Sequence, residues 1–311
     1  MNIRECAELL RAHDDFLVVT HRRPDGDTLG GAAALCCGLR TIGKRAYVFE
    51  DPKVTETYLP FVEPYFAPAD FQPAYVVAID VATEHMFSKG FAGSVDMAID
   101  HHPSNSGYAT HSIIRPEKAA CGEIVMEVLK ELCGTLSPEM ASLLYIAVST
   151  DTGCFGYSNT TADAHRVAAE LIDAGAELEK LNKLLFRTVS AARLQLEGLI
   201  YSNLRRFREG QINIALVTLE MMEKVGATED DCDDLASLPG KIAGNKISAT
   251  IRELTPGFCK VSVRSGREVD SSAVCAMFGG GGHKMAAGCE LNASPEEAVE
   301  KIVYAINEVW K

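Results

Sequence analysis

The segment Phe16–Asp27, FLVVTHRRPDGD, decides how the chain folds. FLVVT is a short unbroken apolar run, the pattern of a strand buried on both faces. HRRPDGD follows at once and interrupts the run with turn chemistry at Pro24-Asp25-Gly26. Asp27–Ile42, rich in Ala, Leu and Gly, then reads as a helix stopped by Gly43. Working outward, Ala46–Phe49, Tyr75–Ile79 (YVVAI) and Val95–Ile99 (VDMAI) repeat the strand pattern. Strands alternating with helices predict an α/β fold, a parallel sheet with helices on both faces.

From about Ala119 to Ser202 the pattern is helical throughout, with Ser137-Pro138 as an N-cap and its following proline. After Asn203 the texture changes. Ile212–Val217 reads as a strand, and Lys246–Leu254 and Phe258–Arg264 flank Pro256-Gly257 as a hairpin. A helix over Ser271–Phe278 leads into four glycines, and the last helix starts at Ser294-Pro295. The expected organisation is a parallel-sheet domain over 1–187, a helical linker over 188–203, and a smaller α/β domain over 204–311.

Composition narrows the function classes. Of 311 residues, 47% are hydrophobic and 23% charged, which excludes wholesale disorder. Apolar runs such as Ala32–Cys37 and Leu143–Val148 are far too short for a membrane span. The N-terminal MNIRECAELLRAHDD mixes charge into every turn, unlike a signal peptide or lipidation signal. Ten scattered cysteines with no C-x-x-C read as buried free thiols. The expected location is cytoplasmic, with no membrane partner. The net charge of −13 argues against a binder of long duplex, which would carry a basic face.

Four acidic or imidazole-bearing segments follow apolar runs: His21, Asp25 and Asp27; Asp80; Asp100, His101 and His102; and Asp151. Each alone has a plain structural reading. Asp27 or Thr28 could cap a helix, and Asp80 or Asp151 could serve a turn. Three of them, however, fall at predicted carboxyl ends of parallel strands, where α/β sheets bind ligands. Clustered carboxylates repel and raise one another's pKa, and a metal cation relieves this. A mixed Asp and His set without Cys suits Mn²⁺, with Mg²⁺ and Co²⁺ as alternatives. The ligand count suits two ions, which clamp the attacking and leaving oxygens of a phosphoryl displacement.

The C-terminal region carries a second candidate site. Arg264-Ser265 ends a strand, and Phe278 precedes Gly279-Gly280-Gly281-Gly282-His283. Consecutive glycines expose backbone N–H groups and make an anion-binding nest plausible, with a flexible loop as the alternative. Lys241–Glu268 holds six basic residues against two acidic ones, so an acidic protein is locally basic there.

These segments, in this order, resemble the DHH phosphoesterases, a family named for the triplet at Asp100-His101-His102. HRRPDGDTLGG, VVAID, AIDHHPSN and STDTGCFGYSNTT resemble its four motifs, and VRSGREVDSSAVCAMFGGGGHKMAAGCEL its C-terminal substrate-binding domain. The resemblance covers nearly the whole chain. Length and direct coupling of two domains resemble the bifunctional oligoribonuclease and 3′-phosphoadenosine 5′-phosphate phosphatase type. It implies that His21 and Asp25 hold one metal, that Asp27, His101 and Asp151 hold the second, and that Asp80 bridges. It implies that Asp100 and His102 complete the catalytic group with Asp80 and His101, His102 orienting a ligand or contacting the phosphate. It also implies that Arg264, Ser265, Gly280, Gly281, Gly282 and His283 hold a substrate phosphate. The family often has Ser where this chain has Gly31.

The implied activity is hydrolysis of short RNA or DNA oligonucleotides, or of a nucleoside bisphosphate, and the family implies a homodimer. Alternatives within the same chemistry are cyclic dinucleotide hydrolysis, pyrophosphatase and processive single-strand exonuclease activity. An inert nucleotide-binding module would need a missing ligand, and none is missing.

Overall fold

The computed structural model describes residues 1–232 and 234–311. The chain forms two compact units, Met1–Thr188 and Val189–Lys311. No helix among the described residues is long and apolar enough to cross a membrane.

The first unit runs α1 (Ile3–Ala12), β1 (Phe16–Val19), α2 (Gly26–Thr41), β2 (Ala46–Val48), α3 (Leu59–Val62), β3 (Tyr75–Ile79), β4 (Met97–Asp100), β5 (His111–Ile114), α4 (Cys121–Cys133), α5 (Pro138–Asp151), α6 (Ala162–Asp173) and α7 (Leu178–Phe186). Its sheet has the order β2-β1-β3-β4-β5 and is parallel throughout. Side chains alternate across it as the pleat requires. Phe16, Val18, Val77, Ile79, Met97 and Ile99 enter the large core beneath α2, α4 and α5.

The opposite face departs from the expected second helix layer. Among the described residues, Leu17, Val19 and Ala78 are covered there by loop aromatics including Phe49, Phe71, Phe87 and Phe91. The cause is local. Pro52, Pro60, Pro64, Pro68 and Pro73 punctuate the β2–β3 connection and forbid a long helix. Strand β5 was not expected, and β4 starts two residues late at Met97. The helical stretch after Ala119 is also broken, by turns over 152–161.

Helix α2 starts one residue earlier than its periodicity suggests. Asp25, not Asp27 or Thr28, is the N-cap, its carboxylate accepting from the N–H groups of Asp27 and Thr28. The small residues of α2 let it approach α5 backbone to backbone. A Cβ on Gly30 would stand 2.5 Å from the Leu143 carbonyl oxygen, whereas one on Gly31 would meet only Ile79 and Val125 methyls, at 3.0 and 3.6 Å.

The second unit runs α8 (Ala191–Ser202), β6 (Arg205–Phe207), β7 (Ile212–Val217), α9 (Leu219–Val225), β8 (Ile247–Thr255), β9 (Phe258–Ser265), α10 (Ser271–Ala276), β10 (Gly281–His283), β11 (Ala286–Asn292) and α11 (Pro295–Val309). The sheet order is β10-β11-β9-β8-β7-β6, and β7–β8 is its parallel pair. One face packs on residues of α10 and α11, the other on residues of α8 and α9.

Gly30→Ala is expected to cost about 1–3 kcal/mol by overpacking a helix contact that cannot open. Gly31→Ala, which meets only side-chain methyls, should cost less. Urea unfolding midpoints of the two variants measure the difference; equal midpoints would refute the close α2–α5 approach.

Candidate metal centre

The parallel topology delivers the acidic segments to one edge of the sheet. His21 and Asp25 follow β1, Asp80 follows β3, Asp100 ends β4, and His101 and His102 come directly after it. Asp151 comes from the last residue of α5, not from a strand. Side-chain atoms able to hold a metal fall into three overlapping groups, each within 4.8 Å: His21, Asp25 and Asp80; Asp27, His101 and Asp151; and Asp80, His101 and His102. All seven residues are therefore brought together, with Asp100 behind them.

Each imidazole is oriented from its far side. His21 Nδ1 lies 3.1 Å from the Arg22 carbonyl oxygen, which leaves Nε2 facing Asp25 Oδ1 at 3.6 Å and Asp80 Oδ2 at 3.8 Å. His101 Nδ1 lies 3.1 Å from the Lys118 carbonyl oxygen. Its Nε2 faces Asp80 Oδ1 at 3.4 Å, Asp151 Oδ2 at 3.8 Å and Asp27 Oδ2 at 3.9 Å. A carbonyl accepts only from N–H, so both rings carry a proton on Nδ1 and turn Nε2 to the carboxylates. His102 is held differently: Nδ1 is 2.8 Å from Asp100 Oδ1, and Asn105 donates to the other Asp100 oxygen at 2.7 Å.

Burial makes this cluster costly. Asp27 and Asp100 are fully buried and Asp80 nearly so. Asp80 Oδ1 has no hydrogen-bond partner among the described residues. A buried carboxylate oxygen without a donor calls for a cation or a proton, and the mixed oxygen and nitrogen set fits a divalent metal. Both Asp27 oxygens accept backbone N–H groups at the start of α4, Cys121 at 2.7 Å and Gly122 at 2.9 Å.

Proton affinities shift accordingly. Burial works against a charged His21, yet Asp25 and Asp80 outweigh it and lift the ring to about 9. His101 is lifted to about 10 against burial by Asp80, Asp27 and Asp151. Burial raises Asp151 to about 6, with Asp80 and Asp25 adding to it and His101 opposing. Asp27 is pushed well above the usual carboxylate range by burial, then by Asp80 and Asp151.

In the second unit, register places the other candidates in one row. Arg264 on β9 pairs with Ala286 on β11, which pairs with His283 on β10. Paired residues point to the same face, so Arg264 and His283 share one. Among the described residues no carboxylate forms an ion pair with Arg264, whereas Lys246 pairs with Glu268 and Arg252 with Glu229. The Ser265 hydroxyl donates to the Val269 carbonyl at 2.7 Å. Gly281–Gly282 belong to a strand instead of a loop. A Cβ on Gly280 would lie 2.3 Å from the Gly288 carbonyl oxygen and one on Gly282 2.6 Å from that of Ala286.

Sequence reading missed several supporting residues: Asn105, which ties Asp100 to the Val81 carbonyl; Asn159, which touches Asp151; and Glu123. The two asparagines lie inside quoted motifs, but an amide carries no charge signal of its own. Glu123 resembles any polar residue of an amphipathic helix.

Two family models match: "DHH family, N-terminal domain" over residues 15–148 and "DHHA1 domain" over residues 211–311. The chain belongs to the DHH family of phosphoesterases and is a hydrolase of ester bonds. It is 34% identical to a bifunctional oligoribonuclease and PAP phosphatase, NrnA, of Thermus thermophilus, over 98% of this chain and 94% of that one. Among solved structures, an exopolyphosphatase-related protein from Bacteroides fragilis shares the fold with a TM-score of 0.88 at 23% identity, over 98% of this chain and 95% of that one. Exonuclease RecJ bound to manganese matches with a TM-score of 0.55 at 18% identity, over 99% of this chain and 94% of that one.

Without metal, the centre should make stability fall as pH rises. A histidine raised above 6.5 contributes fully below 6.5, and that contribution is lost as pH climbs through about 9 for His21 and about 10 for His101. Asp151 acts in the same sense between 3.8 and about 6. Thermal melts in EDTA should give a Tm at least about 5 °C lower at pH 9.5 than at pH 6.5. A flat profile would contradict these protonation states.

Proposed function

We propose that the chain is a two-metal phosphohydrolase that degrades short oligonucleotides to mononucleotides and dephosphorylates 3′-phosphoadenosine 5′-phosphate. The observation that carries this reading is the placement of Asp80. One of its oxygens faces His21 and the other faces His101, so a single carboxylate spans both ligand groups. His21 and Asp25 would hold one ion, and Asp27, His101 and Asp151 the other, with Asp80 shared. Two divalent ions, Mn²⁺ foremost, would supply charge neutralisation and an activated water. Manganese is named for RecJ, which shares the fold, and the nitrogen and oxygen donors here suit it.

The remaining roles belong to the chain's own side chains. Asp100 fixes the ring of His102 so that its Nε2 can meet a substrate phosphate. The His102 pKa is raised by that hydrogen bond against burial, which favours the cationic ring an anion prefers. In the second unit, Arg264 and His283 share a sheet face with Gly280–Gly282 beside them, and together they would hold a further phosphate. Ser265 stands at the same strand end, with its hydroxyl committed to Val269. The name of the Thermus relative supports the substrate class. Ten unpaired cysteines favour a reducing, cytoplasmic setting.

Hydrolysis in Mn²⁺ of a 5′-phosphorylated RNA dinucleotide, a pentanucleotide, a 24-mer, 3′-phosphoadenosine 5′-phosphate, cyclic di-AMP and pyrophosphate tests the substrate class. The short RNAs and the bisphosphate should turn over fastest. Preference for cyclic di-AMP or pyrophosphate would replace the substrate and keep the centre. Asp100→Ala should cost about 10–100-fold in activity, and Asp80→Ala more. Near-normal turnover of Asp80→Ala would defeat the shared ligand. Arg264→Ala should raise KM with metal content unchanged; loss of metal would contradict its assignment.

A further inference from the structure

One short segment, Lys118–Gly122, holds Asp27 and His101 directly and Asp151 through Asn159. The Lys118 carbonyl faces His101 Nδ1 at 3.1 Å. The Ala119 carbonyl accepts from Asn159 Nδ2 at 3.1 Å, and the same amide reaches the Asp151 carbonyl oxygen at 3.1 Å and its Oδ2 at 3.4 Å. The N–H groups of Cys121 and Gly122 take both oxygens of Asp27. Gly122 permits this approach, since a Cβ there would stand 2.6 Å from the Ala147 methyl and 3.4 Å from Asp27 Oδ1.

The segment needs an anchor of its own. The N-cap of α4 is Ala120, which offers no side-chain acceptor. Glu123, fully buried, reaches back instead and accepts from the Ala119 N–H at 2.8 Å. Its other oxygen lies 3.6 Å from Lys118 Nζ, which Glu127 also holds at 2.7 Å. A fully buried carboxylate spent on one backbone N–H and one ammonium is expensive to keep unless the backbone it fixes matters. The His21 and Asp25 group has separate supports, the Arg22 carbonyl and the first N–H groups of α2.

We propose that Glu123 is a positioning residue for one metal site of the pair. Acting through Lys118–Gly122, it aligns Asp27, His101 and Asp151, while Asn159 completes the tie to Asp151. The inference rests on the two-metal reading above. Removing Glu123 lets the start of α4 relax, and the three ligands lose their common frame. The site at His21, Asp25 and Asp80 keeps its own.

The test is Mn²⁺ stoichiometry by equilibrium dialysis, with electron paramagnetic resonance to separate coupled from single ions. The wild-type chain should bind two Mn²⁺ with a coupled spectrum. Glu123→Ala should bind one, with a mononuclear six-line signal. Glu123→Gln should restore the second, because its amide oxygen still accepts from Ala119. Asn159→Ala should weaken the second ion about 10-fold or more with little change in Tm. Two ions at wild-type affinity in both Glu123→Ala and Asn159→Ala overturn the inference and leave the two-metal reading standing. Equal loss of both ions in Glu123→Ala that still melts cooperatively also overturns it. If Glu123→Ala does not fold, Asn159→Ala decides alone: wild-type affinity for both ions overturns the proposal. A wild-type chain that binds fewer than two ions overturns the two-metal reading and this inference with it.

Discussion

The structure is organised around the cost of gathering carboxylates at a strand edge where three of them are cut off from water. Asp27, Asp80 and Asp100 are buried, and Asp25 and Asp151 stand beside them. Negative charges packed so closely cannot all persist without compensation. The fold supplies it from several sources. Helix α2 presents its first N–H groups to Asp25, and α4 presents its own to Asp27. Both are helix N-termini, where the backbone carries partial positive charge. His21, His101 and His102 add imidazoles whose proton affinity rises beside the carboxylates. A divalent ion would replace those protons, so the same geometry that tolerates protons invites metal.

Packing elsewhere serves this arrangement. The carboxyl ends of β1, β3 and β4 converge because all neighbouring strand pairs in the first sheet are parallel. The glycines of α2 bring its start close enough to α5 for Asp27 and Asp151 to face one imidazole. The Thr28 hydroxyl donates to the Ile79 carbonyl at 2.7 Å and ties the start of α2 to the end of β3. Displacing either element would therefore move residues of both groups.

How much of this was legible in the sequence follows from what each residue signals. FLVVT, YVVAI and VDMAI are apolar runs long enough to announce buried strands, and charged residues directly after them stand out. HSII of β5 begins with two polar residues at an edge and announces nothing comparable. The double use of Asp25, capping α2 while lying 3.6 Å from His21, was hidden because one carboxylate satisfies two readings that look like rivals. The four glycines looked like an anion nest or a loop. Gly281 and Gly282 instead lie in a strand, and Gly280 and Gly282 are required by the close pass of β11. Glu123 was invisible because its partners, the Ala119 N–H and Lys118, lie just before the helix, and Ala120 at the N-cap gives no capping signal to mark that start.

Asp80 shows why a charged residue stands where the backbone would prefer glycine. Its φ is +60°, in the left-handed region. For a non-glycine residue that region costs roughly 1–2 kcal/mol, although Asp tolerates it better than most. The left-handed turn takes the chain abruptly out of β3, while its N–H still bonds the Ile99 carbonyl at 2.9 Å. A residue continuing in extended geometry would carry its side chain to one face of the sheet. Turned as it is, Asp80 stands at the strand end with one oxygen toward His21 and the other toward His101. Glycine would remove the strain and also remove the carboxylate that addresses both groups. Strain held at one position by rigid neighbours is common at functional sites. Here the neighbours are two fully buried β-strands and the helix start that Thr28 pins to β3.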